Sequence, residues 1–235
     1  MAESDAGRGG DDSKILVRGD YDGQVTAQWF DPEFWGKAAT PVGSGGRGRA
    51  WFLQTPVGDL VLRTYLRGGF VANVMQSSYL YLGKQSVRSF AEFRLLDTLF
   101  DRGLPVPEPV AARYEKTGPR FYRAWILVRR IDDVSPLGEV YDQIDDAHWQ
   151  RIGMLIRQFH DAGVFHADLN CFNVLVRADG DYLIDFDKCK LLARGLPENW
   201  KTGNLNRLAR SLMKVAGESF VHRVWPRLLT GYQRS

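Results

Sequence analysis

Asp168, Asn173 and Asp185 are the residues whose types and spacing point most directly to chemistry. Asp168 and Asn173 lie in a polar stretch, Phe165-His-Ala-Asp-Leu-Asn-Cys-Phe-Asn173, that runs into apolar Val174-Leu-Val176. After Arg177 to Asp181, a second apolar run from Tyr182 to Ile184 ends on Asp185-Phe-Asp187. Two strands about a turn are predicted, and such a hairpin brings the three polar groups to one end. That set suits phosphoryl transfer. A carboxylate takes the proton of an attacking hydroxyl, while oxygen ligands hold Mg²⁺ across nucleotide phosphates, because octahedral Mg²⁺ favours one or two carboxylates plus phosphate oxygens. Asp and Asn also cap turns, but turn capping does not ask for all three at this order and spacing.

The elements that must position these groups can be read upstream and downstream. From Ile15 the pattern is strand-like, with Ile15, Val17, Tyr21, Val25 and Gln28-Trp-Phe30 broken by Gly19 and Gly23. Pro41-Val-Gly-Ser-Gly-Gly-Arg-Gly-Arg49 then enters Ala50 to Gln54, and a Thr-Pro-Val-Gly turn leads to Asp59-Leu-Val-Leu-Arg63, which reads as a glycine loop inside a hairpin. Gly43, Gly45, Gly46 and Gly48 would let backbone amides approach phosphates with no Cβ in the way, although a glycine cluster is also an ordinary flexible turn. Phe90, Phe93, Leu96 and Leu99 recur at helical spacing between Ser89 and Arg102, with Glu92 among them, and Gly103 ends the pattern. Strands are expected over Val110 to Tyr114 and Tyr122 to Ile131. Helices are expected over Asp146 to Ala162, with Trp149, Ile152, Leu155, Ile156 and Phe159 on one face, and over Lys201 to Thr230.

His166-x-Asp168-x-x-x-x-Asn173 resembles the catalytic loop of the protein-kinase superfamily, and Asp185-Phe186-Asp187 resembles its metal-binding DFG element with the glycine replaced. By that resemblance Asp168 is the catalytic base, Asn173 and Asp185 bind metal, and His166 is a packed support. Glu92 matches the glutamate that orients a phosphate-binding cation. Where such kinases carry lysine, this chain has Val61-Leu-Arg63, and no lysine stands between Lys37 and Lys84. Arg63 can pair with phosphate and glutamate through its planar fork, with a geometry unlike that of a lysine point charge.

Only a short stretch follows Asp185, without an APE-like element. Asn204-Leu-Asn-Arg-Leu-Ala-Arg-Ser-Leu212 opens a basic amphipathic helix there instead, which argues against docking of peptide substrates. The chain closely resembles the 3-deoxy-D-manno-octulosonic acid (Kdo) kinase family from about Gly43 to Arg210. Leu62-Arg-Thr-Tyr-Leu-Arg-Gly-Gly69, Phe90-Ala-Glu-Phe-Arg-Leu-Leu96, Gly103-Leu-Pro-Val-Pro-Glu-Pro-Val110, His166-Ala-Asp-Leu-Asn170 and Ile184-Asp-Phe-Asp-Lys188 carry the likeness. It implies an α+β, two-lobed protein-kinase-like fold with a sheet-rich N-lobe and a short helical C-lobe, in which ATP and Mg²⁺ bind between the lobes. The implied acceptor is a sugar hydroxyl on a Kdo-bearing lipid A precursor, phosphorylated at the cytoplasmic face of the bacterial inner membrane with peripheral association. The expected divisions are a flexible tail over 1–12, an N-terminal lobe over 13–132 and a catalytic lobe over 133–235. A soluble small-molecule or RIO-like kinase, or a nucleotide-binding scaffold without catalysis, is the competing reading.

Composition limits the remaining classes. With 44% hydrophobic and 12% aromatic residues the chain can bury a core, and a formal charge of +3 is too small to imply nucleic acid as a partner. The first residues lack the basic start and apolar stretch of a signal peptide, and no run of about 18 apolar residues is present to span a bilayer. Cys171 and Cys189 form no CxxC pair and are expected as reduced thiols. Arg67, Lys84 and Arg88 flank apolar Phe70 to Leu82, which suits either core packing or a membrane interface. The cations Lys188, Lys190, Arg194, Lys201, Arg207, Arg210 and Lys214 suit either a solvated helix surface or the carboxylates and phosphates of an anionic glycolipid.

Overall fold

A computed structural model describes residues 13–43, 50–65, 79–80, 83, 86–119, 121–193, 195 and 197–234. The expected tail, Gly45, Gly46, Gly48 and most of the apolar segment from Phe70 to Leu82 lie outside those residues. The chain forms two compact units: one runs to Asp97 and takes up Glu108–Arg130, and the other holds Thr98–Pro107 and Ile131–Ser235.

In the first unit β1 (Ser13–Val17), α1 (Pro32–Trp35), β2 (Ala39–Pro41), β3 (Ala50–Thr55), β4 (Gly58–Thr64), β5 (Tyr79–Leu80), α2 (Arg88–Asp101), β6 (Pro109–Gly118) and β7 (Phe121–Arg129) follow in order, α2 passing into the second unit after Asp97. The strands form one antiparallel sheet in the order β1-β6-β7-β4-β3-β2, with β5 also paired to β7. Period-two alternation decides which side chains go inward. Ile15, Val17, Leu53, Leu60 and Leu62 join Tyr21, Trp29, Phe30, Val110, Ala111 and Leu127 in one core. The residues between, such as Val61 and Arg63, take the opposite face. The strand expectation fails beyond Val17: Gly19–Tyr21 and Ala27–Phe30 are single 3-10 turns. Tyr21, Trp29 and Phe30 are buried all the same, so their apolar signal reports a cap over the sheet rather than another strand.

Helix α2 buries Phe90, Phe93, Leu96 and Leu99. Phe90 meets Tyr114 of β6 edge to face at 5.2 Å, and the Tyr122 hydroxyl of β7 accepts from the Arg88 N–H at 3.2 Å. The helix therefore lies on the β6-β7 part of the sheet with Glu92 turned inward.

The second unit contains β8 (Ser135–Pro136), α3 (Leu137–Val140), α4 (Asp146–Asp161), β9 (Val164–Phe165), β10 (Val174–Val176), β11 (Tyr182–Leu183), β12 (Lys190–Leu191), α5 (Asn199–Ala216) and α6 (Glu218–Gln233). Asp145 caps α4, its carboxylate accepting from the His148 N–H at 2.8 Å. The α4 face bearing Trp149, Ile152, Leu155, Ile156 and Phe159 is buried as the spacing predicts. The stretch expected to be helical over Lys201 to Thr230 is so, as two helices with Gly217 at φ 82° between them.

Helices α4 and α6 touch backbone to backbone through a pair of glycines. A Cβ on Gly231 would stand 1.9 Å from the Gln150 carbonyl oxygen, and one on Gly153 would stand 2.0 Å from the Leu228 carbonyl oxygen. Neither neighbour is a side chain that can swing away. Gly153→Ala or Gly231→Ala must force the helices apart, at a cost of about 3 kcal/mol or more, the upper end for overpacking. A thermal melt should show each variant losing on the order of 10 °C, while Gly180→Ala, with open space around it, should melt with the wild type.

His160, at the end of α4 and only 3% exposed, gives the unit an acid sensitivity. Its Nδ1 pairs with the Tyr232 hydroxyl at 2.8 Å. Burial lowers its pKa from 6.5 to about 4, helped by Lys201 and Arg157 and opposed by a contact with Asn204 and by Asp161. A histidine held neutral in the fold binds fewer protons than the unfolded chain between pH 6.5 and 4. Stability is therefore full above pH 6.5 and falls as the pH drops through that window, by at most roughly 3 kcal/mol. Denaturation midpoints measured from pH 7.5 to 4.5 should fall with acid, and more shallowly for His160→Gln.

Candidate active site

The hairpin read from the sequence forms: Val174 faces Leu183 and Leu175 faces Tyr182 in antiparallel register. One step beyond it the Ile184 N–H donates to the Asn173 carbonyl at 3.0 Å. Asn173 and Asp185 thus leave the same end of the ladder. The loop before it folds back through its own amides. Asn173 Nδ2 donates to the Asp168 carbonyl at 2.9 Å, which leaves Asn173 Oδ1 as an oxygen donor, and Asn170 Nδ2 reaches Asp168 Oδ2 at 3.2 Å. The Asp168 carboxylate is 57% exposed, open to an incoming molecule.

Asp185 sits at φ 63° in the left-handed region. Outside glycine this conformation is uncommon, Asp and Asn being among the residues that tolerate it. Such strain gathers at functional sites. Phe186 behind it is buried, stacked on Phe159 at 5.9 Å, and locks the turn to α4.

His166 is the hub of the loop, as a packed support. Its Nε2 bonds to the Ile184 carbonyl at 3.1 Å, and the Asp168 N–H donates to its Nδ1 at 3.3 Å. A carbonyl only accepts and an amide N–H only donates, so these bonds assign the neutral ring with hydrogen on Nε2. Burial lowers its pKa as well. The imidazole therefore ties the Asp168 backbone to the strand that ends in Asp185.

Three contributors were not assigned from sequence. Asn204, buried on α5, accepts from the His166 N–H at 3.2 Å and donates to the His166 carbonyl at 2.8 Å. Its signal was a polar residue in register with Leu208 and Leu212 on the apolar face of the helix. Cys189 Sγ accepts from the Ala167 N–H at 3.2 Å. Tyr65 belongs to the first unit.

There, Arg63 Nη2 donates to both carboxylate oxygens of Glu92, and the Tyr65 hydroxyl donates to Glu92 Oε2. Glu92 is 4% exposed. Arg63 and Tyr65 stand two apart along one strand direction, so they share a face, and the Arg63 guanidinium lies 5.2 Å over the Tyr65 ring. Burial first, then the Glu92 charge, raises the Tyr65 pKa well above 10, so it remains a hydrogen-bond donor. The pairing expected for Glu92 is formed with arginine in the place of lysine. Gly43, at φ 78°, opens the connection from β2 to β3, whose pairing starts with Pro41 opposite Trp51. Gly45, Gly46 and Gly48 of the expected glycine loop lie outside the described residues.

The fold is that of the protein-kinase-like phosphotransferases. A solved structure titled "WaaP in complex with acyl carrier protein" aligns with a TM-score of 0.53 at 15% identity, over 94% of this chain and 89% of that one. An aminoglycoside-3'-phosphotransferase of type VIII aligns with a TM-score of 0.57 at 15% identity, over 83% and 85%. The model of the lipopolysaccharide kinase (Kdo/WaaP) family matches residues 32–232, and the chain belongs to that family. Proteins named 3-deoxy-D-manno-octulosonic acid kinase are similar along most of its length. That of Stenotrophomonas maltophilia is 47% identical over 203 residues, covering 86% of this chain and 80% of the relative. That of Xanthomonas axonopodis pv. citri is 48% identical over 197 residues, covering 83% and 78%.

Proposed function

We propose that this chain transfers the γ-phosphate of ATP to a hydroxyl of a Kdo sugar on a lipid A precursor. The observation that carries the reading is the identity of 47 to 48% with proteins of that name over more than four fifths of the chain. The loop geometry supports the same reaction. The exposed Asp168 carboxylate orients the sugar hydroxyl and takes its proton as the oxygen attacks phosphorus in line. Arg63, held by Glu92 and Tyr65, supplies the cation that pairs with nucleotide phosphate.

Asn173 Oδ1 and the Asp185 carboxylate are hard oxygen donors of the kind Mg²⁺ prefers, and they would hold that ion beside the phosphates. When bound it neutralises charge on the transferring group. Among the described residues no group of three or more His, Cys, Asp or Glu is assembled.

An acceptor anchored in a bilayer requires the enzyme to work at the membrane face. No helix among the described residues is long and apolar enough to cross a membrane; the attachment proposed is peripheral. Arg67, Lys84 and the apolar segment between them supply the chemistry for it. The test is transfer from radiolabelled ATP to lipid A precursor with and without its Kdo residue. Label is expected only with Kdo present. Equal labelling without Kdo, or labelling of water-soluble acceptors alone, would overturn the reading.

A further inference from the structure

Arg207 on α5 has its own relation to the proposed base. Inward-facing Asn204, Leu208 and Leu212 fix the helix, and Arg207 emerges beside Asn204 so that Nη1 donates to Asp168 Oδ1 at 3.1 Å. The other carboxylate oxygen already accepts from Asn170. Each Asp168 carboxylate oxygen thus has a donor against it, and an acceptor hydroxyl that approaches Oδ1 must share that oxygen with the Arg207 guanidinium. The pair is weak enough to exchange: the side chains are 48% and 57% exposed, and ion pairs so exposed contribute only about 0–1 kcal/mol.

A guanidinium offers five N–H donors in a flat fork, of which Asp168 engages one, and the partner that fork fits best is a carboxylate taken by two parallel bonds. The proposed acceptor sugar is an acid, with its carboxylate on the molecule that also carries the hydroxyls. We propose that Arg207 is the residue that reads this carboxylate, leaving Asp168 Oδ1 for the acceptor's acid group and thereby turning that oxygen toward the hydroxyl to be phosphorylated. The inference rests on the Kdo reading above. It makes the enzyme selective for anionic sugars: a neutral one leaves Arg207 on Asp168, and the base stays engaged. Binding of the correct acceptor and release of the base become one event.

The test crosses two enzymes with two acceptors. Wild type and Arg207→Ala are assayed on the Kdo acceptor and on the same acceptor with its carboxylate converted to the methyl ester, at varied acceptor and varied ATP. The wild type is expected to lose about 10- to 100-fold in kcat/KM on the ester, the value of a charge-assisted pair, while Arg207→Ala treats acid and ester alike. The variant should raise KM for the acid acceptor and leave KM for ATP unchanged. An equal acid-to-ester ratio in both enzymes would overturn the proposal, as would a rise confined to the ATP KM, which would assign the cation to nucleotide phosphate. A wild type that phosphorylates neither form would instead remove the Kdo reading, and this inference with it.

Discussion

Asp168→Ala is expected to lower the rate of phosphate transfer by about 10³- to 10⁴-fold, the upper part of the range for loss of a positioned acid or base, while ATP binds with unchanged affinity and the protein melts with the wild type. The separation of effects follows from what the side chain touches. Among the described residues its carboxylate accepts from Asn170 and Arg207, both at the surface. The bonds that hold the loop use the Asp168 backbone: its N–H to His166 and its carbonyl from Asn173 and Asn170. Alanine keeps all of these. Single-turnover transfer, ATP titration and a melt on the same preparation check the three statements. Near-wild-type transfer would mean that another group takes the proton.

Asp185→Asn should be the second most damaging change, with kcat falling about 10²- to 10³-fold, the equivalent of losing several kcal/mol of charge stabilisation through a misplaced metal. Half-maximal activity should also need more Mg²⁺. Asparagine is the chosen replacement because it tolerates the left-handed backbone that Asp185 occupies, so the change removes charge without adding strain. Asp185→Ala adds a backbone cost of about 1 kcal/mol to the same loss of charge and should melt lower. Rates measured across a Mg²⁺ series separate the two, because added metal recovers part of the activity of the asparagine variant. An unchanged Mg²⁺ requirement would take Asp185 out of the metal site.

Much of this arrangement was legible in the sequence where the determining interactions are local. The alternation around Val174–Val176 and Tyr182–Leu183 forms the hairpin, and the helical spacing of Phe90, Phe93, Leu96 and Leu99 forms α2 and turns Glu92 inward. The residues from Tyr21 to Phe30 misled, because an apolar residue that caps a sheet and one that extends it look alike until the rest of the sheet is in place. Asn204 and Tyr65 went unassigned because each acts on a partner far along the chain, His166 and Glu92, which spacing alone does not reveal. The glycines at 153 and 231 are the same case: each has its meaning only in the backbone of the opposite helix.

The measurement that bears most directly on the central claim is the position of the transferred phosphate. Wild-type protein is incubated with Mg²⁺, ATP and a Kdo-bearing lipid A precursor, and the product is fragmented in a mass spectrometer. One phosphate gained on the Kdo residue, and absent when Asp168→Ala replaces the wild type, is the predicted result. Phosphate on the lipid A disaccharide, or no product while ATP binds normally, would contradict it.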